Sequence, residues 1–202
     1  MRKMRMIDLF SGLGGASQAM RERGWEVIRV DVDPRFDPDV CCDVRDFHWD
    51  GGEVDLLWAS PPCDEFSKSD KPWFGFQSPS QESLDLVFEV FRIVREVNPR
   101  YWILENVRGA QRWIGKAPCK IGPFYLWGWF PFDRLKKRIG NDRVFYFKTK
   151  IPQVNFHPDR KALRSKIPYE ISLAVALIVE ESREGIFRFD TPPLFSDMGV
   201  VV

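Results

Sequence analysis

Short apolar runs alternate with segments of helical periodicity through the first half of the chain. The apolar runs predict four strands, over residues 5–10, 26–32, 54–60 and 101–107. Helical spacing predicts a helix over residues 16–23 and a second helix from Ser80 or Ser83 to about Val97. Strands that alternate with helices are typical of the α/β class, with a mostly parallel sheet and helices on both faces.

The pattern changes after residue 107. A stretch dense in aromatic side chains, residues 124–132, predicts either a β-strand or a surface on which nucleic-acid bases stack. Residues 143–148 predict a further strand, and a helix follows Pro168. That helix carries Ile171, Ala174, Val175 and Ile178 on one face. From residue 185 the pattern is irregular.

The composition is that of an ordinary globular protein. With 202 residues, 44% of them hydrophobic and 29% charged, the chain suffices for one α/β domain. No apolar run approaches the length of a membrane span, and the N-terminus lacks a signal-peptide core, so we expect no membrane contact and a cytoplasmic location in a prokaryotic or virus-infected cell. The four cysteines include no C-x-x-C pair and there are two histidines, so no metal site is predicted.

The net charge of +1 conceals an uneven distribution. Residues 108–166 contain 15 Lys and Arg against 3 Asp and Glu, whereas residues 1–107 contain 13 against 20. A concentrated positive block of this kind is typical of a protein that binds a polyanion.

Cys63 follows an apolar run at the end of a Ser-Pro-Pro-Cys sequence. The two prolines fix their own φ angles and favour extended conformations in the residues before them, so the cysteine is expected to project from a rigid turn. A cysteine held in this position is suited to act as a nucleophile. The alternative is a small apolar core residue, as most free cysteines are. The segment from Asp64 to Ser80 is predicted to be a binding loop.

The strand over residues 101–107 ends in a carboxylic acid, Glu105, followed by Asn106. An unpaired carboxylate is costly to bury, and its pKa then rises, which suits a group that must donate a proton. In a parallel sheet both strands end at the edge where ligands bind. We therefore expect Cys63 and Glu105 to be neighbours.

The first strand leads into a glycine-rich turn, Ser11-Gly12-Leu13-Gly14-Gly15. Its glycines allow a ligand to approach the backbone, and the N-terminus of the next helix offers N–H groups to an anion, although such a turn can also be purely structural. Asp31 ends the second strand, where nucleoside-binding sheets hold ribose hydroxyls, or else it is a solvated turn residue. Asp43 is a further candidate acid.

Three motifs, taken in chain order, resemble the signature motifs of the cytosine-5 DNA methyltransferases. They are Asp8-Leu9-Phe10-Ser11-Gly12-Leu13-Gly14-Gly15, Ser60-Pro61-Pro62-Cys63 and Glu105-Asn106-Val107. The resemblance covers residues 1–107 well and the remainder loosely. It implies a Rossmann-like methyltransferase fold, S-adenosylmethionine as cofactor, and methyl transfer to carbon 5 of a flipped cytosine through a covalent adduct on Cys63.

The resemblance also implies roles for individual residues. Cys63 is the implied nucleophile, Glu105 the acid that holds the target base, and Arg143 the arginine of a later strand motif. The residues implied to bind the substrate are Ser60, Asn106 and Arg108. The residues implied to bind the cofactor are Phe10, Gly12, Gly14, Asp31 (ribose hydroxyls), Val32, Asp43 (adenine amino group), Pro61 and Leu84.

The second half departs from the family pattern. A Gln-x-Arg-x-Arg motif survives only as Arg143, Lys166-Ile167-Pro168 replaces a Gly-Asn pair before the last helix, and a large target-recognition domain is missing. We therefore predict a cofactor-binding and catalytic core over residues 1–107. Residues 108–166 are predicted to contact nucleic acid and to return one strand to the core, and residues 167–202 to close the core.

The predicted partner is double-stranded DNA, with RNA or transfer RNA as an alternative substrate. Without a recognition domain we expect relaxed sequence specificity, unless a homodimer or a partner protein supplies a reading surface. A non-catalytic nucleic-acid-binding homologue is a second alternative, against which the intact Cys63 and Glu105 argue. A dinucleotide-binding dehydrogenase would explain the glycine-rich turn but not the other two motifs.

Overall fold

The computed structural model describes residues 2–69, 77–140 and 160–187. Its strands are β1 (Arg5–Leu9), β2 (Glu26–Asp31), β3 (Val40–Cys41), β4 (Leu56–Ala59), β5 (Tyr101–Asn106), β6 (Cys119–Ile121) and β7 (Phe124–Trp129). Its helices are α1 (Gln18–Glu22), α2 (Asp64–Ser69), α3 (Gln81–Val97), α4 (Gln111–Ile114), α5 (Phe132–Ile139), α6 (Arg160–Ser165) and α7 (Tyr169–Arg183). The predicted strand over residues 143–148, and Arg143 with it, lies outside the described residues.

The described strands form one seven-stranded sheet in the order β3-β2-β1-β4-β5-β7-β6. Strands β1 to β5 pair in parallel, and β7 is antiparallel to both of its neighbours. The predicted α/β class with a mostly parallel, Rossmann-like sheet is therefore confirmed. The chain order reverses between β1 and β4, and in such sheets ligands bind at the carboxyl edge beside this switch point.

Helices cover both faces of the sheet because side chains alternate along each strand. On one face, Met6 of β1 belongs to a core shared with Met20 of α1 and Val175 of α7. On the other face, Ile7 belongs to a core shared with Phe91 of α3. The predicted apolar face of the last helix is confirmed by the buried side chains of Ile171, Ala174, Val175 and Ile178. No helix among the described residues is long and apolar enough to cross a membrane.

The segment after Cys63 begins as a helix, so the prediction of a loop from Asp64 onward was wrong for its first six residues. Asp64 and Glu65 occupy the first turn of α2, where negative charges stabilise the N-terminus of a helix. Phe66 is fully buried and anchors α2 to the core. The helix therefore fixes the path of the chain directly after the candidate nucleophile.

The aromatic stretch over residues 124–132 builds core structure. Phe124 and Trp127 of β7 are buried, and β7 pairs with β5 along five residues of each strand. Phe130 and Phe132 belong to the same core as Phe124, where their ring centroids lie 5.7 Å apart, and Trp127 belongs to the core on the other face. Of the two interpretations of this stretch, the structure thus confirms the strand.

Gly128 in β7 is required by a close backbone contact. It adopts a φ of 131°, and a Cβ there would stand 2.1 Å from the carbonyl oxygen of Trp102. We expect Gly128→Ala to lower the free energy of unfolding by about 2–3 kcal/mol, measured by chemical denaturation. Gly140→Ala is the matched control, because Gly140 has a φ of 69° but a Cβ there would meet no atom of the described residues within 4 Å. At Gly140, backbone strain alone predicts a loss of about 1 kcal/mol in the free energy of unfolding. Equal losses in the two variants would show that the close contact at Gly128 relaxes without cost.

Candidate active site

Three strand ends meet at the switch point of the sheet. Ala59 of β4 pairs with Leu9 of β1 on one side and with Leu104 of β5 on the other. The residues that follow Leu9 and Ala59, Phe10 and Ser60, therefore leave the sheet side by side. Glu105, which follows Leu104, lies beside them and still pairs with Leu126 of β7.

A cavity of about 380 Å³ lies over this edge, within the range of small-molecule sites. Cys63 and Glu105 both line it, so the structure brings the two candidate catalytic residues to one cavity, as expected. Both side chains are half-buried. The other predicted site residues in its wall are Phe10, Gly12, Asp31, Val32, Ser60 and Pro61.

Asp31 holds the glycine-rich turn against β2. One of its carboxylate oxygens accepts a hydrogen bond from the Gly12 amide at 2.7 Å, and the other accepts one from the Asp33 amide at 2.9 Å. Phe10 enters the turn with a φ of 56°, which a bulky residue seldom adopts outside functional sites. Each oxygen of Asp31 keeps a further lone pair, so the carboxylate can also accept hydrogen bonds from a ligand's hydroxyl groups.

The segment between α6 and α7 forms the opposite wall. Gly15 lies directly against it, since a Cβ at Gly15 would stand 2.6 Å from the carbonyl oxygen of Ile167. Ser172 of α7 donates its hydroxyl to the carbonyl of Ala16 at 2.6 Å and accepts from the amide of Ala19 at 3.0 Å. The glycine-rich turn is therefore fixed to α7 as well as to β2.

Asp8 is a buried carboxylic acid in the cavity wall. The sequence patterns gave it no role of its own beyond its place in the first motif. Its side chain is 1% exposed, and Ser17 donates a hydrogen bond to it at 2.5 Å. Burial raises the pKa of Asp8 to about 7, while the bond from Ser17 and the charge of Arg29 oppose that rise. The signal available in the sequence was an acid inside an otherwise apolar strand.

Arg29 of β2 is a second buried residue that the sequence patterns missed. Its guanidinium donates to the carbonyls of Gly12 at 2.5 Å and Phe36 at 2.8 Å, which joins two walls of the cavity. Gly14 packs on this side chain, because a Cβ at Gly14 would meet the Nε of Arg29 at 3.1 Å. Gly14 therefore supports the turn from behind and does not line the cavity.

Two hydrogen bonds position the turn that precedes Cys63. The indole N–H of Trp58 donates to the Ser60 hydroxyl at 2.8 Å, and the Asn106 side-chain amide donates to the Pro61 carbonyl at 3.2 Å. Asn106 is buried, so within the described structure it ties the end of β5 to this turn. Arg108 opens the 3₁₀ turn that packs against α2.

Besides Gly14, two of the residues implied to bind the cofactor lie outside the cavity wall. Asp43 caps a 3₁₀ turn and pairs with Arg45 at 2.6 Å, and these bonds lower the pKa of Asp43 to about 2. Leu84 is partly buried against the core beneath α3. Their contacts with a cofactor, like the roles of the other site residues, stay predictions.

Comparison with known proteins agrees with this geometry. Residues 4–113 match the family described as C-5 cytosine-specific DNA methylase. The chain belongs to this family. The resemblance predicted from three motifs is thereby confirmed, and it extends through β1–β5 and the cavity residues that these strands carry.

Two relatives show how far the similarity reaches. A protein of Frog virus 3 named "Probable DNA (cytosine-5)-methyltransferase" is 32% identical over 117 residues, which cover 51% of this chain and 53% of that protein. The Type II methyltransferase M.AquIA of Picosynechococcus sp. is 30% identical over 139 residues, which cover 56% and 52%. The chain thus spans about half the length of these relatives. A structure of S. pombe Dnmt2 methyltransferase is 19% identical, with a TM-score of 0.40 over 55% of this chain and 38% of that one.

The raised pKa of Asp8 predicts a pH dependence of stability. Between its ordinary value of 3.8 and about 7, the folded state binds more protons than the unfolded state, so stability falls as pH rises through this window. We expect Asp8→Asn to remove a slope of up to about 1.4 kcal/mol per pH unit from the free energy of unfolding, measured by denaturant titration from pH 4 to 7.

Asp43→Asn is the matched control for Asp8→Asn. The folded-state pKa of Asp43 is lowered, so its contribution is present above pH 4 and is lost as pH falls below that value. If the free energy of unfolding depends on pH in the same way in the wild type and in Asp8→Asn, then Asp8 stays ionised in the folded protein.

Proposed function

We propose that this chain is a DNA cytosine-5 methyltransferase that uses S-adenosylmethionine. The observation that carries the proposal is the shared cavity: Cys63 and Glu105 come from neighbouring strands and face the same space as the glycine-rich turn and Asp31. Membership of the DNA methylase family supports both the reaction class and a DNA substrate.

The residues around the cavity fit S-adenosylmethionine. Its sulfonium and amino groups are positively charged, and five carboxyl groups line the wall, those of Asp8, Asp31, Asp33, Asp64 and Glu105. The hydroxyl of Ser11 is buried in the same wall and has no hydrogen-bond partner among the described residues, so a ligand can satisfy it. Asp31 would hold the ribose hydroxyls, beside Phe10 and Pro61.

The chemistry follows from the two candidate catalytic side chains. The thiolate of Cys63 adds to carbon 6 of cytosine, which makes carbon 5 nucleophilic. Glu105 donates a hydrogen bond or proton to ring nitrogen 3 and so stabilises the charge that develops there. S-adenosylmethionine, when bound, supplies the methyl group. Carbon 5 then loses its proton to water, the bond between carbon 6 and sulfur breaks to release the Cys63 thiolate, and any proton given to ring nitrogen 3 returns to Glu105, which restores the ring. In a duplex the base must first leave the stack.

The covalent step predicts that the protein can be trapped. DNA containing 5-fluorocytosine should form an adduct with Cys63 that survives a denaturing gel, because fluorine replaces the proton that must be lost. Cys63→Ser should form no adduct and transfer no methyl groups while still binding cofactor, since a hydroxyl is a much weaker nucleophile than a thiolate. Cys41→Ser is the matched control, because Cys41 is exposed and does not line the cavity.

The nucleic acid used for trapping distinguishes the substrates. An adduct on fluorinated RNA but not on DNA would contradict the DNA assignment and favour the RNA alternative. Absence of an adduct on both, with a protein that binds cofactor, would exclude the covalent mechanism.

The role of Glu105 predicts a slow but binding-competent variant. Glu105→Gln should bind DNA and cofactor normally and transfer methyl groups on the order of 10²-fold more slowly, because an amide cannot deliver a proton. The measurement is single-turnover methyl transfer. Asp64→Asn removes another carboxylate from the same cavity wall and should have a smaller effect. A near-normal rate for Glu105→Gln would mean that Glu105 is a structural hydrogen-bonding residue.

A further inference from the structure

S-adenosylmethionine carries a carboxylate as well as its two positive groups. The acidic wall of the cavity repels this end of the cofactor. The described wall contains five carboxyl groups but two cations, Arg35 and Lys166. Arg35 is engaged by Asp33, whose two carboxylate oxygens both accept from its guanidinium, the shortest contact being 2.5 Å. Lys166 makes no ion pair and no side-chain hydrogen bond within the described part of the chain.

Lys166 lies beside the glycine-rich turn. A Cβ at Gly15 would stand 2.6 Å from the Cγ of Lys166, so the aliphatic stem of the lysine passes directly over the turn. The backbone on its C-terminal side is fixed, because Ile167 is buried and Pro168 precedes α7. The ammonium group at the end of this flexible stem can therefore serve the part of the cavity next to the turn.

Part of the backbone beside the cavity is already engaged in internal hydrogen bonds. The amides of Gly12, Gly14 and Ala19 already donate to internal oxygens, at 2.7, 2.8 and 3.0 Å. Helix α1 begins at Gln18 and has only five residues, so few peptide dipoles align behind its N-terminus. The dipole of the helix that was expected to receive an anion is therefore weak, and a side-chain cation would add the positive charge that this end of the cavity lacks.

We propose that Lys166 binds the α-carboxylate of S-adenosylmethionine. The assignment rests on the proposed function, which requires that cofactor in this cavity. A charge-assisted hydrogen bond from the ammonium group offsets the repulsion between the ligand's carboxylate and the acidic wall. It also makes the pocket selective for cofactor analogues that keep the carboxylate.

The test measures binding, by isothermal titration calorimetry, of two ligands to the whole chain without nucleic acid. S-adenosylmethionine and its decarboxylated analogue differ only at the group that Lys166 is proposed to bind. We expect Lys166→Met to raise the Kd of S-adenosylmethionine by roughly tenfold or more and to leave that of the analogue within about twofold. Lys166→Arg should restore most of the affinity. Lys137→Met, which removes an exposed lysine of α5, should change neither Kd.

Each other outcome overturns the assignment in a different way. Equal losses for both ligands would mean that Lys166 supports the shape of the pocket. An unchanged Kd for S-adenosylmethionine, together with weaker DNA binding of Lys166→Met in a separate titration, would make Lys166 a phosphate contact. If the wild-type protein binds neither ligand, the proposed function itself fails. If the wild type and Lys166→Met bind both ligands alike, only the role of Lys166 fails.

Discussion

The parallel pairing of β1, β4 and β5 is the constraint on which the active site depends. Because successive side chains of a strand point to opposite faces, a slip of one residue would exchange the two cores that meet at the sheet. Met6 and Ile7 belong to different cores, so such a slip of β1 would misplace both. The register that buries these residues also sets the level at which Phe10 and Ser60 leave the sheet and places Glu105 beside them. The geometry of the site is thus specified by the hydrophobic core.

Charge beneath the glycine-rich turn is balanced by one buried cation. Arg29 is 8% exposed, and a guanidinium so placed is stable only when its donors are largely satisfied. It reaches the carbonyls of Gly12, Phe36 and Asp37, and its charge acts on the carboxyl group of Asp8. A single arginine therefore connects two turns by hydrogen bonds and offsets part of the negative charge of the cavity. The remaining negative charge suits a cationic ligand.

The features that could be predicted from the sequence are those that local patterns along the chain determine. Cys63 follows one apolar run and Glu105 ends another, so the assumption of a parallel sheet was enough to place them at one edge. The contact of Lys166 with Gly15 depends on how α7 packs, and no local pattern encodes it. Residues 124–132 show a second limit of sequence-based prediction. Aromatic rings must be exposed to stack on bases, and the sequence does not show whether a ring is exposed or buried. Helix α2 was missed because only its start, an acidic first turn, stands out from a segment rich in Ser and Pro.

The basic run on α5 shows why charge counted along a chain differs from charge available to a partner. Lys136 donates to the carbonyl of Pro118 at 3.0 Å, and Arg138 pairs with Glu181 of α7. The guanidinium of Arg134 lies 3.9 Å from the centroid of the Phe187 ring. These three cations therefore hold α5 against its neighbours, although exposed pairs of this kind contribute only about 0–1 kcal/mol each. A phosphate contact by α5 would then rest on the long-range field of the segment, which salt screens, and less on a preformed row of donors.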